Sequence, residues 1–172
     1  ISEPFMLDQN FQRSVVLLIE HNEQGSLGFV LNRLVDTRIH EVVNDMSHSD
    51  APIFMGGPVE PNTLHYIHQM EDLPDTKKVY EGVYFGGSFE ELNRRMSMGQ
   101  VADHEILFFV GYSGWAPGQL EEEMKRKSWI VAPQEFDFVF RENYDQLWQD
   151  FLRAMGQKYK VVSNYPVDPR LN

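Results

Sequence analysis

The sequence predicts an α+β fold in a single domain, and three observations carry that prediction. Segments with strand character outnumber those with helix character. Several neighbouring strands are joined by short polar connections, which suit antiparallel pairing. Helices occur, but they do not alternate strictly with strands as a doubly wound parallel sheet requires. A chain of 172 residues, read as one domain spanning 1–172, has ample material for a core. Its hydrophobic content of 42% and aromatic content of 13% exclude intrinsic disorder.

In chain order, Ser14 to Ile19 reads as a buried strand, followed by a polar turn from Glu20 to Gly25 and a second strand from Leu27 to Leu31. The pair forms a hairpin with a longer loop. Ile39, Val42, Val43 and Met46 fall at i, i+3, i+4 and i+7, one face of a short helix that Asp36 or Thr37 would cap. Pro52 to Met55 is a short strand that runs into Gly56-Gly57-Pro58-Val59, and Leu64 to His68 is another. Val79 to Phe85 is a strand interrupted at Gly82. Ser88 and Glu91 form a capping box for a helix with Phe89, Leu92 and Met96 as its buried stripe, Arg94 and Arg95 as partners for Glu90 and Glu91, and Gly99 as its stop.

Glu105 to Val110 is the most hydrophobic central strand, and Ser128 to Ala132 is one more. Tyr144, Leu147, Trp148, Phe151, Leu152 and Met155 make the apolar stripe of a helix, with Asn143 and Gln146 at its cap and Gly156 at its stop. The tail, 158–172, carries two prolines and reads as irregular, with one edge strand at Tyr159 to Val162.

Charge and cysteine content narrow the function. The net charge of −11 repels phosphate backbones and anionic membranes, so nucleic acid is a disfavoured partner. No apolar run approaches the roughly 18 residues of a membrane span, so no membrane association is expected. Zero cysteines exclude thiol nucleophiles, disulfides and Cys-type metal sites, and favour the cytoplasm. Ile1 to Asn10 has neither the basic region nor the cleavage site of a signal peptide, which agrees with a cytoplasmic location.

The most specific feature is Gly111-Tyr112-Ser113-Gly114-Trp115-Ala116-Pro117-Gly118-Gln119-Leu120-Glu121. It reads as a strand ending at Val110, a tight turn, and a helix opening near Pro117. Such a junction can bind an anion or form an oxyanion hole beside Ser113. Two features oppose this. Glu121, Glu122 and Glu123 already occupy the first helical turn. Gly-Tyr-Ser-Gly-Trp also lacks the Gly-x-Ser-x-Gly spacing of a nucleophile elbow. The plain alternative is a self-capped helix packed through Leu120 and Met124, with Glu121, Glu122 and Glu123 pairing with Lys125, Arg126 and Lys127.

This stretch resembles the signature of the YqgE/AlgH family of bacterial proteins, Gly-Tyr-x-Gly-Trp-x-x-Gly-Gln-Leu-x-x-Glu. Asp8 to Val16 resembles that family's approach to its first strand, Glu20 to Arg33 its long hairpin, and Gly56 to Val59 its Gly-Gly-Pro-Val turn. Trp129 and Trp148 fall where the family tends to carry aromatics. The resemblance implies an α+β fold with a strongly bent sheet approaching a pseudo-barrel. It implies no established activity and supplies no catalytic residue or cofactor. Some members carry a transcriptional-regulator label.

The six histidines (His21, His40, His48, His65, His68, His104) show no paired metal-ligand spacing, and no metal or cofactor is expected. His65 and His68 point apart on a strand. His21 sits in the hairpin loop beside Glu20 and Glu23, either as a weak metal site or as a solvated side chain. The candidate binding patch comprises Asn32, Arg33, Gly56, Gly57, Pro58, Gly111, Tyr112, Ser113, Gly114, Trp115, Gln119 and Glu123, with no catalytic residue assigned. Asn32, Arg33, Gln119 and Glu123 line one polar cleft if the hairpin and turn lie beside the Gly/Trp motif. The reading is a non-enzymatic module that binds a small molecule or a protein partner through the patch from Gly111 to Glu123. The alternatives are a transcriptional regulator, disfavoured by charge, and a hydrolase using Ser113 or a carboxylate pair.

Overall fold

The computed structural model describes residues 1–132 and 136–164. Eight strands form one sheet: β1 (Val16–Asn22), β2 (Gly25–Val30), β3 (Leu34–Arg38), β4 (Pro52–Met55), β5 (Val59–His68), β6 (Lys77–Tyr80), β7 (Val83–Phe85) and β8 (Ile106–Trp115). Among the described residues six α-helical segments accompany them: α1 (Ile39–Val42), α2 (Phe89–Ser97), α3 (Gln119–Lys125), α4 (Phe136–Val139), α5 (Leu147–Ala154) and α6 (Gln157–Val162). Among the described residues no helix is long and apolar enough to cross a membrane.

Strand β8 is the spine. One edge pairs antiparallel with β5 along most of its length. The other edge is shared: Phe108 to Val110 pair with β4 in parallel, and Ser113 to Trp115 pair with β2 antiparallel. The path β1-β2-β8-β5-β7-β6 curls until its outer strands approach, and Lys77 of β6 forms an ion pair with Glu20 of β1 across the gap. The sheet is therefore bent and nearly closed, as the family resemblance implies.

Both faces of β8 are buried, which explains its unbroken hydrophobic run. Leu107 and Phe109 face a core shared with Phe29, Phe54, Ile67 and the apolar side of α5, where Leu147, Trp148 and Leu152 are almost fully enclosed. Ile106 and Phe108 face a second core closed by Ile39, Met46, Leu92 and Met96. Burying each such side chain contributes about 1.5–3 kcal/mol, so both layers are substantial.

Several expectations change on contact with the structure. The first strand runs to Asn22, because the turn forms later, where the Asn22 side chain accepts from Gln24 N at 2.8 Å. Leu34–Arg38 is a strand that the pattern does not reveal, since β4 alone pairs with it among the described residues and its side chains alternate between half-buried and exposed. That strand displaces the helix start: α1 is one turn long, follows Arg38 rather than Asp36 or Thr37, and lacks a side-chain cap. Phe89 stays about one-third exposed, so Leu92 and Met96 carry the buried stripe of α2.

Ser88 accepts from Glu91 N at 3.3 Å, but the Glu91 carboxylate turns to Arg94 and Arg95 instead of completing the box. Ser128 to Ala132 contributes only a single bridge, Trp129 to Ser2. Tyr144 lies ahead of α5, its hydroxyl donating to Val139 O, and neither Asn143 nor Gln146 caps that helix by a side chain. Tyr159 to Val162 is helical, within α6, rather than an edge strand, because Gly156 turns the chain and a new helix starts at once. The remainder of the expected irregular tail, 165–172, lies outside the described residues.

Candidate functional site: the Gly/Trp corner and its pocket

The Gly/Trp motif does not begin with a turn at Gly111. The strand continues through Gly111 to Trp115, and the turn comes at 116–118. Gly111 instead marks a crossing. Strands β4 and β5 flank β8 on opposite edges, so the chain joining them, Gly56-Gly57-Pro58, must pass over β8 at Gly111 to Ser113. The two backbones nearly touch: a Cβ on Gly57 would lie 2.3 Å from Tyr112 C, and one on Gly111 would lie 2.6 Å from Gly57 O. Gly111 also holds φ 66°, where a side chain is disfavoured. The buried Ser113 hydroxyl donates to Gly56 O at 2.9 Å and locks the crossing. Tyr112 is half-buried with its ring edge-on to His65, and Pro58 is exposed.

Past the crossing, Glu123 organises the corner. Its Oε2 accepts from Trp115 Nε1 at 2.9 Å and from Trp129 Nε1 at 2.7 Å. Its Oε1 accepts from Gln119 Nε2 at 2.9 Å, and Gln119 Oε1 accepts from Ala116 N at 3.0 Å. One carboxylate thus fixes both indoles, 5.7 Å apart and nearly perpendicular, and Phe11 packs on both. The expected ladder of i, i+4 pairs does not form. Lys125 pairs with Glu122, Glu123 serves the tryptophans, and Glu121 faces His21.

Asn32 and Arg33 do not open into a polar cleft with Gln119 and Glu123. Asn32 receives Val15 N at 2.9 Å and donates to Arg13 O at 2.9 Å. The Arg33 guanidinium donates to Gln9 O at 2.7 Å and Gln12 O at 3.4 Å, and partial burial lowers its pKa against the opposing pull of Asp8. Both side chains clamp the segment that carries Phe11. The four residues therefore act on two sides of one loop, which joins the hairpin to the tryptophan pair.

Behind that pair lies a cavity of about 520 Å³, within the range of small-molecule sites. Trp115, Leu120, Met124 and Trp129 form one wall, Val16, Leu17 and Leu18 another, and Val139 and Phe151 close the far side. Three consecutive residues of β1 border it, so it meets that strand along its outer edge rather than on one face. Among the described residues the titratable groups on its lining are the half-exposed side chains of His21 and Glu121 and the Ile1 amino group, which donates to Ile130 O at 2.8 Å and whose pKa burial lowers to about 6. His21 Nδ1 is 2.7 Å from Ser26 Oγ, and its Nε2 is 3.6 Å from Glu121 Oε1.

Trp115 stands out in the sequence, whereas this cavity does not. Leu120 and Met124, spaced i, i+4 on α3, were legible as a packing face; that β1 lies across from them follows only from the closure of the sheet. His68 and His65 serve the fold. His68 is fully enclosed, bonded to Gly86 O at 2.8 Å and to Met70 N, and burial holds its pKa below the usual value. His65 lies on the other face against Phe29, Phe85 and Tyr112, its pKa also lowered by burial. Among the described residues no cluster of three or more metal-ligating side chains occurs.

A family model described as AlgH-like matches residues 1–160. A UPF0301 protein of Parabacteroides distasonis is 43% identical over 175 residues, spanning all of this chain and 88% of the relative. A UPF0301 protein of Cytophaga hutchinsonii is 41% identical, spanning all of this chain and 96% of its own length. The solution structure of the AlgH protein from Pseudomonas aeruginosa superposes with a TM-score of 0.74 at 26% identity, over 96% of this chain and 91% of that one. The crystal structure of a Corynebacterium diphtheriae protein superposes with a TM-score of 0.78 at 22% identity, over 96% of this chain and 89% of that one.

Proposed function

This chain belongs to the AlgH-like family, and we propose that it is a non-enzymatic binding protein that holds a small apolar ligand in the cavity behind the Gly/Trp corner. One observation carries the reading: a 520 Å³ apolar cavity has as its wall the two tryptophans that Glu123 and Gln119 hold in place. The patch from Gly111 to Glu123 is thus a frame for a binding surface, and its polar atoms are spent on positioning. Native mass spectrometry of freshly purified protein tests this. The expected result is a retained small-molecule mass that is lost in Leu18→Trp, which fills the cavity from a half-exposed strand position. Equal retention by both proteins overturns it.

One observation favours a second reading. Ser26, His21 and Glu121 stand in line, the last two at the cavity, an order of groups that a hydrolase uses. Against it, Ser26 is buried and does not border the cavity. Cleavage of p-nitrophenyl octanoate that disappears in Ser26→Ala would establish it, and equal rates would end it. Ser113 is no better placed, being enclosed and donating to a main-chain carbonyl. Direct DNA contact has only the family label behind it and a net charge of −11 against it.

A further inference from the structure

Among the described lining side chains only His21 and Glu121 are charged or titratable, and their chemistry selects a ligand class. We propose that the occupant is a small amphiphile bound tail-inward, with an uncharged or cationic hydrogen-bond-donating head held between His21 and Glu121; this rests on the binding reading above. The tail follows from the lining side chains, since Val16, Leu18, Leu120 and Met124 are apolar and the two indole N–H groups are committed to Glu123.

The head follows from the rim. Ser26 fixes the His21 ring from its Nδ1 side, so Nε2 and the Glu121 carboxylate stand together where the cavity meets solvent. With Glu121 ionised, that pair carries one negative charge when His21 is neutral and none when it is protonated. Nearby, Glu20 is paired with Lys77 and Glu122 with Lys125, so the local excess of negative charge rests on Glu121 itself, within a chain at −11. A carboxylate or phosphate head would meet the Glu121 carboxylate, while the neighbouring cationic groups are already committed, Lys125 to Glu122 and the Ile1 amino group to Ile130 O. An amine or hydroxyl finds an acceptor in Glu121.

Three matched probes separate the parts of this inference: 1-octylamine, 1-octanol and octanoate, each titrated into the full chain at low salt and followed by indole fluorescence. The amine is expected to bind tightest and octanoate weakest, with a ratio of about tenfold between them. Raising the salt compresses that ratio. Glu121→Gln brings it towards one. Octanoate binding as tightly as octylamine, or an unchanged ratio in Glu121→Gln, overturns the head assignment and leaves the cavity reading standing, because 1-octanol still binds. Failure of 1-octanol itself to bind overturns the cavity reading and this inference with it.

Discussion

At the scale of single residues, the motif's polar groups do structural work in service of a surface. Glu123 is the clearest case. Its loss in Glu123→Ala leaves two enclosed indole N–H groups and the Gln119 amide without their acceptor. A cost of about 3 kcal/mol in a urea unfolding measurement is expected. Glu123→Gln keeps the oxygen shared by the indoles but sets its amide against that of Gln119, so its cost falls between Ala and native. Gly57→Ala is expected to cost about 4 kcal/mol or more, because its methyl group would meet main-chain atoms that cannot move aside. Ser113→Ala loses one hydrogen bond to Gly56 O, a cost of about 1 kcal/mol, and ligand retention is unaffected. These residues were legible as a group but not in their roles. Glycine spacing marks a close backbone approach, yet nothing local says that the approaching chain is the Gly56-Gly57-Pro58 crossing.

At the scale of elements, helix α2 shows how far a local pattern reaches. Its cap and its acidic and basic turns were readable, and Glu91 does bond both Arg94 and Arg95. Arg95 also reaches Asp72, a partner that only the folded chain provides. Hydrogen bonds from Arg94 and then Arg95 pull the Glu91 carboxyl from 4.5 to about 2. A carboxyl with a depressed folded value stabilises the protein above its unfolded pKa and ceases to do so as pH falls through the folded one. Glu91→Gln is therefore expected to unfold at lower urea than the native chain at neutral pH, with the two midpoints converging near pH 2. His68 behaves in the same direction, since burial lowers its pKa: an NMR titration should place its midpoint below that of an ordinary histidine. Strand β8 was legible as buried, but its true end at Trp115 was not, because Gly111 and Gly114 resemble a turn in sequence while Ser113 and Trp115 pair with β2.

At the scale of the whole molecule, closure of the sheet creates the site. Composition and periodicity indicated α+β; the near-meeting of β1 and β6 depends on long-range pairing that no short window contains. The cavity beside β1 is a product of that curvature together with α3 and the C-terminal helices, which is why the tryptophans were found from sequence and the space behind them was not. The global charge makes its own prediction. In a gel-shift titration, duplex DNA should show no retention at either low or high salt, and a salt-dependent shift would reinstate a regulator.

Two indoles report on whether the cavity binds a ligand. Trp115 and Trp129 line the cavity, whereas Trp148 donates to Ser2 O at 3.0 Å inside the core and does not line it. Following the three indole N–H resonances during a 1-octanol titration therefore tests the account directly. Saturable shifts of Trp115 and Trp129, with Trp148 nearly still, are the predicted result. Saturating octanol that leaves both unmoved, or that moves Trp148 alone, would contradict it.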